Sequence, residues 1–261
     1  MDVSLSGRRA LVCGSSQGIG KACAFELASL GASVTLLARD RDTLERVRSE
    51  LATDQGQSHA TLVADFSDLA SVSAAASDAT SSGPIHVLVN NTGGPPGGRA
   101  IDAAPDAYLK AFTMHLLANQ TLAQALVPAM REVKYGRIIN VISTSVKAPI
   151  PGLGVSNTIR GAVASWAKTL AGELGPDGIT VNNVLPGFTD TARLRSLFSA
   201  KAEKQGTTAD AVAQAAIASI PAGRFGEASE IAAAVAFLAT PAASYINGIN
   251  VPVDGGRTQS L

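Results

Sequence analysis

The sequence predicts an α/β fold: a single domain over residues 1–261, built on a doubly wound parallel sheet of about seven strands. Two observations carry this. Short apolar, β-prone runs alternate with helical patterns from end to end, which calls for right-handed crossovers and helices on both faces. No shift of composition divides the 261 residues, of which 46% are hydrophobic and only 4% aromatic. Ala, Val, Leu and Gly therefore supply a large core suited to close helix-on-sheet packing.

Residues 9–13 (Arg-Ala-Leu-Val-Cys) read as the first strand. They run into Gly14-Ser15-Ser16-Gln17-Gly18-Ile19-Gly20, and then into a helix through 22–28. Gly14 lets the chain leave the strand sharply. Gly18 removes a Cβ where a backbone approaches a phosphate, and Gly20 lets the helix lie close to the strand. The N–H groups at the helix start then face an anion. The spacing is G-x-x-x-G-x-G rather than the commoner G-x-G-x-x-G. Alone, it also suits a plain turn. At the first strand of an alternating chain it reads as a phosphate cradle, with Ser16 and Ile19 in the same loop.

The second strand is 33–38, followed by a helix over 42–53. The third strand, 59–64, ends in Asp65, and a helix over 67–81 has Asp68 supporting its N-terminus. Residues 85–89 are apolar almost throughout, as a strand buried on both faces is. The patch Asn90-Asn91-Thr92-Gly93-Gly94-Pro95-Pro96-Gly97-Gly98 is too short for a domain linker. A helical pattern runs from 105 past Pro128 to 131. The fifth strand is 137–142, a long helix covers 155–174, and the sixth strand, 179–185, stops at Pro186-Gly187. A polar helical segment over 192–219, a helix over 227–239 and a short strand over 248–253 complete the chain. Ligands in such a fold bind beyond the carboxyl ends of the strands. The loops at 14–20, 39–41, 65–66, 90–98, 143–153 and 186–191 are therefore expected around one crevice.

Formal net charge is zero and there is no basic run, which argues against nucleic acid as a partner. No apolar run approaches membrane-spanning length, and the first residues carry no charged-then-apolar signal pattern. A cytoplasmic protein is expected. Cys13 and Cys23, ten apart with no histidine nearby, suit buried free thiols rather than a metal site.

The residue after the second strand decides the nucleotide. An acidic side chain there accepts from a ribose 2′-hydroxyl; an arginine meets a 2′-phosphate. Arg39 stands there, next to Asp40, so NADP(H) is expected, with NAD(H) as the alternative cofactor. A solvated surface arginine is the plain alternative.

These residues together resemble the short-chain dehydrogenase/reductase family over essentially the whole chain. Gly14-x-x-x-Gly18-Ile19-Gly20 matches its cofactor loop, and Asp65 matches the carboxylate at the adenine ring. Asn90-Asn91-Thr92-Gly93 is similar to its Asn-Asn-Ala-Gly motif, placing Asn91 and Gly93 at the cofactor. Pro186-Gly187 through Thr189 and Thr191 looks like its segment over the nicotinamide. Gly223-Arg224-Phe225-Gly226 and Asp254-Gly255-Gly256 look like its C-terminal signatures. The likeness is to the 3-oxoacyl-carrier-protein-reductase branch, and it implies a Rossmann fold and a small carbonyl or alcohol substrate. It also implies a homodimer or homotetramer paired through the helix at 155–174, and a substrate lid at about 188–220.

The family's catalytic set is Asn, Ser, Tyr and Lys, and here the chain departs from it. Ser143 fits the serine. Thirteen residues on, Ser156 stands where tyrosine is expected; four further, Arg160 stands where lysine is expected; His115 occupies the asparagine position. Serine is a far weaker acid than a phenol, and arginine does not release its proton. Ser156 can still hydrogen-bond the reacting oxygen. Arg160 can still hold the ribose hydroxyls and stabilise negative charge. His115 is the remaining titratable candidate for proton donor, against the plain reading of a helix histidine satisfied by its surroundings. His59 and His86 read as structural. Three functions follow: an NADP(H)-dependent oxidoreductase with a non-standard proton donor, a cofactor-binding sensor or subunit partner without turnover, and a cofactor-free enzyme on the same scaffold.

Overall fold

The computed structural model describes residues 1–260. Seven strands form one parallel sheet: β1 (Arg9–Cys13), β2 (Ser33–Ala38), β3 (Ala60–Val63), β4 (Val87–Asn90), β5 (Gly136–Val141), β6 (Ile179–Pro186) and β7 (Asn250–Val253). Their spatial order is β3-β2-β1-β4-β5-β6-β7, so the winding reverses between β1 and β4. A crevice opens at that switch point, beyond the carboxyl ends of the strands.

The pleat of β1 explains the layers. Ala10 and Val12 point to one face, where they pack with Cys23 and Leu27 of α1 (Gly18–Ser29), Leu44 of α2 (Arg41–Ser49) and Val235 of α9 (Ala228–Ala239). Leu11 and Cys13 point to the other face. There they meet Val72 of α3 (Leu69–Ser81), Leu122 and Leu126 of α5 (Ala118–Glu132) and Ala171 of α6 (Gly154–Leu174). Asp68 caps α3 by accepting from the Ala70 N–H, as its place in the sequence implies. Burial raises both thiols, that of Cys23 to about 12, which keeps them inert. No helix among the described residues is long and apolar enough to cross a membrane.

Three elements differ from the sequence pattern. The helix expected over 105–131 is interrupted. α4 (Pro105–Phe112) passes into a five-residue π-turn, Thr113–Leu117, before α5 begins. That bulge, a common device at functional sites, turns His115 inward. The segment expected over 192–219 is two helices, α7 (Ala192–Gln205) and α8 (Ala209–Ile217). Gly206 separates them in the left-handed conformation, and the Thr208 side chain caps α8. The strand expected over 85–89 lies further along the chain, because its pairing extends to Asn90.

That shift has a consequence for the sheet. Asn90, Asn140, Asn183 and Asn250 are register partners on four adjacent strands. Asn90 Nδ2 donates to Asn140 Oδ1 at 2.9 Å, Asn140 Nδ2 to Asn183 Oδ1 at 2.9 Å, and Asn183 Nδ2 to Asn250 Oδ1 at 2.8 Å. This amide ladder runs through the interior directly beneath the crevice.

The histidines on strand ends have structural partners. His59 Nδ1 accepts from the Val34 N–H while Nε2 donates to the Ala52 carbonyl, and His86 Nδ1 accepts from the Arg9 N–H. Both tie a connection to a strand edge.

Candidate functional site

The crevice has a volume of about 920 Å³ and is open to solvent. At its nucleotide end, Gly14 turns the chain with φ +60°, and a Cβ there would collide with the Asn91 carbonyl. Gly18 has φ +56°, which favours glycine, and a Cβ there would meet only the Thr191 side chain at an ordinary 3.5 Å. α1 starts at Gly18, and its cap residue Gln17 makes no side-chain cap hydrogen bond. The first-turn N–H groups are therefore left for an anion. Gly20 lies behind the loop rather than on its surface. A Cβ on it would collide with the Gly14 carbonyl, so its part is to let α1 approach β1. Ser15, which the sequence did not single out, is fully buried; its Oγ accepts from the Leu37 N–H at 3.0 Å and pins the loop to β2.

Ser16, Ile19, Arg39, Asp65, Asn91 and Gly93 line this end of the crevice. Arg39 is exposed and makes no ion pair among the described residues. Its neighbour Asp40 is committed elsewhere, since its side chain accepts from the Thr43 N–H and caps α2. The Ser67 N–H and hydroxyl, with Arg39 contributing, hold Asp65 below its ordinary carboxyl value, so it stays ionised. A helix start, an uncommitted arginine and an ionised aspartate fit a dinucleotide bearing a 2′-phosphate.

At the other end, Ser143, Ser156 and Arg160 line one wall and Pro186, Gly187, Thr189 and Thr191 the opposite one. Ser143 Oγ accepts from the Ser145 N–H at 3.0 Å, which leaves its own hydrogen free to donate into the crevice. Arg160 is buried, 8% exposed. Its nitrogens donate only to backbone carbonyls, Nη1 to Val141 at 3.3 Å and Nη2 to Thr92 at 3.5 Å. Burial, with the nearby Arg193 charge, lowers it to about 10, so it remains a cation near neutral pH.

His115 does not stand where a direct proton donor must. It is 2% exposed and lies outside the crevice lining, behind Thr92, whose Oγ1 meets its Nδ1 at 2.6 Å. Burial, and secondarily the Arg160 charge, depresses the imidazole to about 3, so the ring is neutral at working pH. The expectation of a direct donor is corrected accordingly: the bulge that carries His115 buries it, and only the Thr92 hydroxyl connects it to the crevice. The sign of its pH effect follows. The folded chain binds this proton less readily than the unfolded one, whose histidine has the ordinary value of 6.5. Stability tied to His115 is therefore complete above pH 6.5 and is lost as pH falls toward about 3. His115→Asn is expected to move the acid-unfolding midpoint to lower pH. It should leave no missing limb in the kcat/KM profile between about pH 6 and 9. An ionisation in that range that disappears with the variant would restore the donor role.

No tyrosine lines the crevice. Tyr108 donates to the Ala100 carbonyl, Tyr135 to the Ala239 carbonyl, and Tyr245 is fully exposed. Phe66 and Leu153, from loops expected at the crevice, also line it, as do Met114 and Arg193, which only the fold brings there.

Residues 14–258 match the family model described as enoyl-(acyl carrier protein) reductase. The chain is 35% identical to the 3-oxoacyl-[acyl-carrier-protein] reductase of Pseudomonas aeruginosa, over 99% of this chain and all of that one. The chain belongs to the short-chain dehydrogenase/reductase family. It is also 32% identical to the NADPH-dependent reductase BacG of Bacillus subtilis, over 98% of this chain and all of the relative. Among solved structures, L-sorbose reductase from Gluconobacter frateurii, complexed with NADPH and L-sorbose, superposes with a TM-score of 0.93 at 30% identity over the full length of both chains. Within this short-chain dehydrogenase/reductase the glycine loop and the strand-end motifs follow the family pattern.

Proposed function

We propose that this chain is an NADP(H)-dependent oxidoreductase acting on a carbonyl or alcohol, with Ser143, Ser156 and Arg160 at the reacting oxygen in place of the family's phenol and ammonium. One observation carries the reading: the intact glycine cradle and the uncommitted Arg39 share one continuous crevice with these three side chains. When bound, NADPH supplies a hydride to the carbonyl carbon. Ser143 donates its free hydrogen to the carbonyl oxygen, and Ser156 offers a second hydroxyl. Arg160 stabilises the negative charge that develops on that oxygen and keeps its own proton. The proton that completes the alcohol enters from solvent through these hydroxyls, because no phenol lines the crevice and His115 is neutral. α7 and α8 act as the lid over the substrate; they pack on a small core of their own, formed by Leu194, Phe198, Ala202 and Val212. A homodimer or homotetramer is part of this reading.

The missing phenol favours a second reading, a cofactor-binding sensor or subunit partner without turnover. Titration with NADPH and NADH, followed by nucleotide fluorescence, and then a carbonyl panel monitored by NADPH oxidation, separates them. Selective NADPH binding with oxidation by at least one carbonyl is expected. Binding without turnover on any carbonyl favours the sensor. No binding of either nucleotide overturns both.

A further inference from the structure

Two guanidinium groups converge on the substrate end of the crevice with no carboxylate of the described residues between them. Arg160 reaches it from α6, buried and held only by carbonyl oxygens. Arg193 reaches it from the first turn of α7, where Nη2 donates to the Pro95 carbonyl at 2.6 Å. They flank one point of the 93–98 loop: a Cβ on Gly94 would lie 3.7 Å from Arg160 Nη2 and 3.9 Å from Arg193 Nη2. Glycine at 94 keeps the gap between them clear. Among the described residues neither arginine has an ion pair. The acidic residues of the same lining are committed, Asp190 to Arg195 and Asp40 to the α2 cap, while Asp65 sits at the far end beside Arg39.

A buried guanidinium without a counter-ion is costly, and a second cation beside it raises that cost. An anion between the two removes both penalties. We propose that Arg160 and Arg193 form a receptor for a carboxylate adjoining the reacting carbonyl, with Arg160 serving both groups through separate N–H donors, so that the substrate is an oxo or hydroxy acid rather than a neutral ketone or sugar. The planar fork of a guanidinium matches a carboxylate in shape. The nucleotide's own phosphates have other partners, the α1 start and Arg39, at the opposite end. This inference rests on the oxidoreductase reading for the word substrate, while the anion receptor itself does not require turnover.

The test pairs 3-oxobutanoate, 4-oxopentanoate and benzoate with their methyl esters, each titrated calorimetrically into the protein with and without NADPH. In the wild type at least one acid is expected to bind about tenfold or more tighter than its ester. Arg193→Gln removes the charge and keeps a shorter amide donor at the same position. It is expected to abolish the acid preference while NADPH affinity changes by no more than about twofold. An Arg193 that merely clamps the loop would leave the preference intact. Absence of any acid preference in the wild type overturns the receptor. So does an Arg193→Gln variant that keeps the preference, or one that instead loses NADPH affinity by about tenfold. If NADPH fails to bind but an Arg193-dependent acid preference persists, the receptor stands and the redox reading falls.

Discussion

Arg39→Leu is expected to weaken NADPH binding by roughly 10- to 150-fold, the worth of a charge-assisted hydrogen bond at about 1.5–3 kcal/mol. NADH affinity should change by less than about threefold, because NADH carries no 2′-phosphate for that side chain to meet. The selectivity of the variant therefore collapses without loss of the cradle. Asp40 does not repel the phosphate from this position, because its side chain is engaged with the Thr43 N–H at the start of α2. Fluorescence titration of both nucleotides on wild type and variant measures the effect. Equal weakening of NADPH and NADH would mean that Arg39 supports the loop rather than reading the phosphate.

Asn140→Leu is expected to destabilise the fold by about 2–5 kcal/mol, seen as a fall in Tm of roughly 5–15 °C. Asn140 is fully buried and takes part in two ladder bonds at once. Leucine of similar size would leave the Asn90 amide without its acceptor and the Asn183 carbonyl oxygen without its donor. Both residues are 3% exposed, so water does not readily replace what is lost. Asn250→Leu, at the half-buried end of the ladder, breaks a single bond and should cost about 1 kcal/mol. Urea unfolding of the two variants against wild type gives the comparison. A variant at position 140 within about 1 kcal/mol of wild type would show that the sheet is indifferent to its amides.

The ladder also illustrates what a sequence can and cannot display. Each asparagine is readable alone in or beside its own strand, yet nothing in the chain says that the four share a register. The alternation of strands and helices, the glycine spacing and the residue after β2 were legible because each depends on short-range constraint. A strand buried on both faces must be apolar, a tight turn must be glycine, and a 2′-phosphate needs an adjacent cation. The candidates at 115, 156 and 160 were legible for the same reason, since each lies at a fixed interval from Ser143 or Pro128.

Three features were decided only by tertiary structure. The π-turn at Thr113–Leu117 comes from packing rather than from any breaker residue, and it turned His115 from an expected donor into a buried, neutral neighbour of Thr92. The commitment of Asp40 to α2 depends on where that helix starts. The meeting of Arg160 and Arg193 joins residues from α6 and α7 across the tip of a third segment. By itself the sequence determined the fold and the loops that line the crevice, because strand alternation and glycine turns are short-range constraints. Tertiary structure decided which charges meet at the substrate end, because Arg160 and Arg193 stand on different helices and only their packing brings them together.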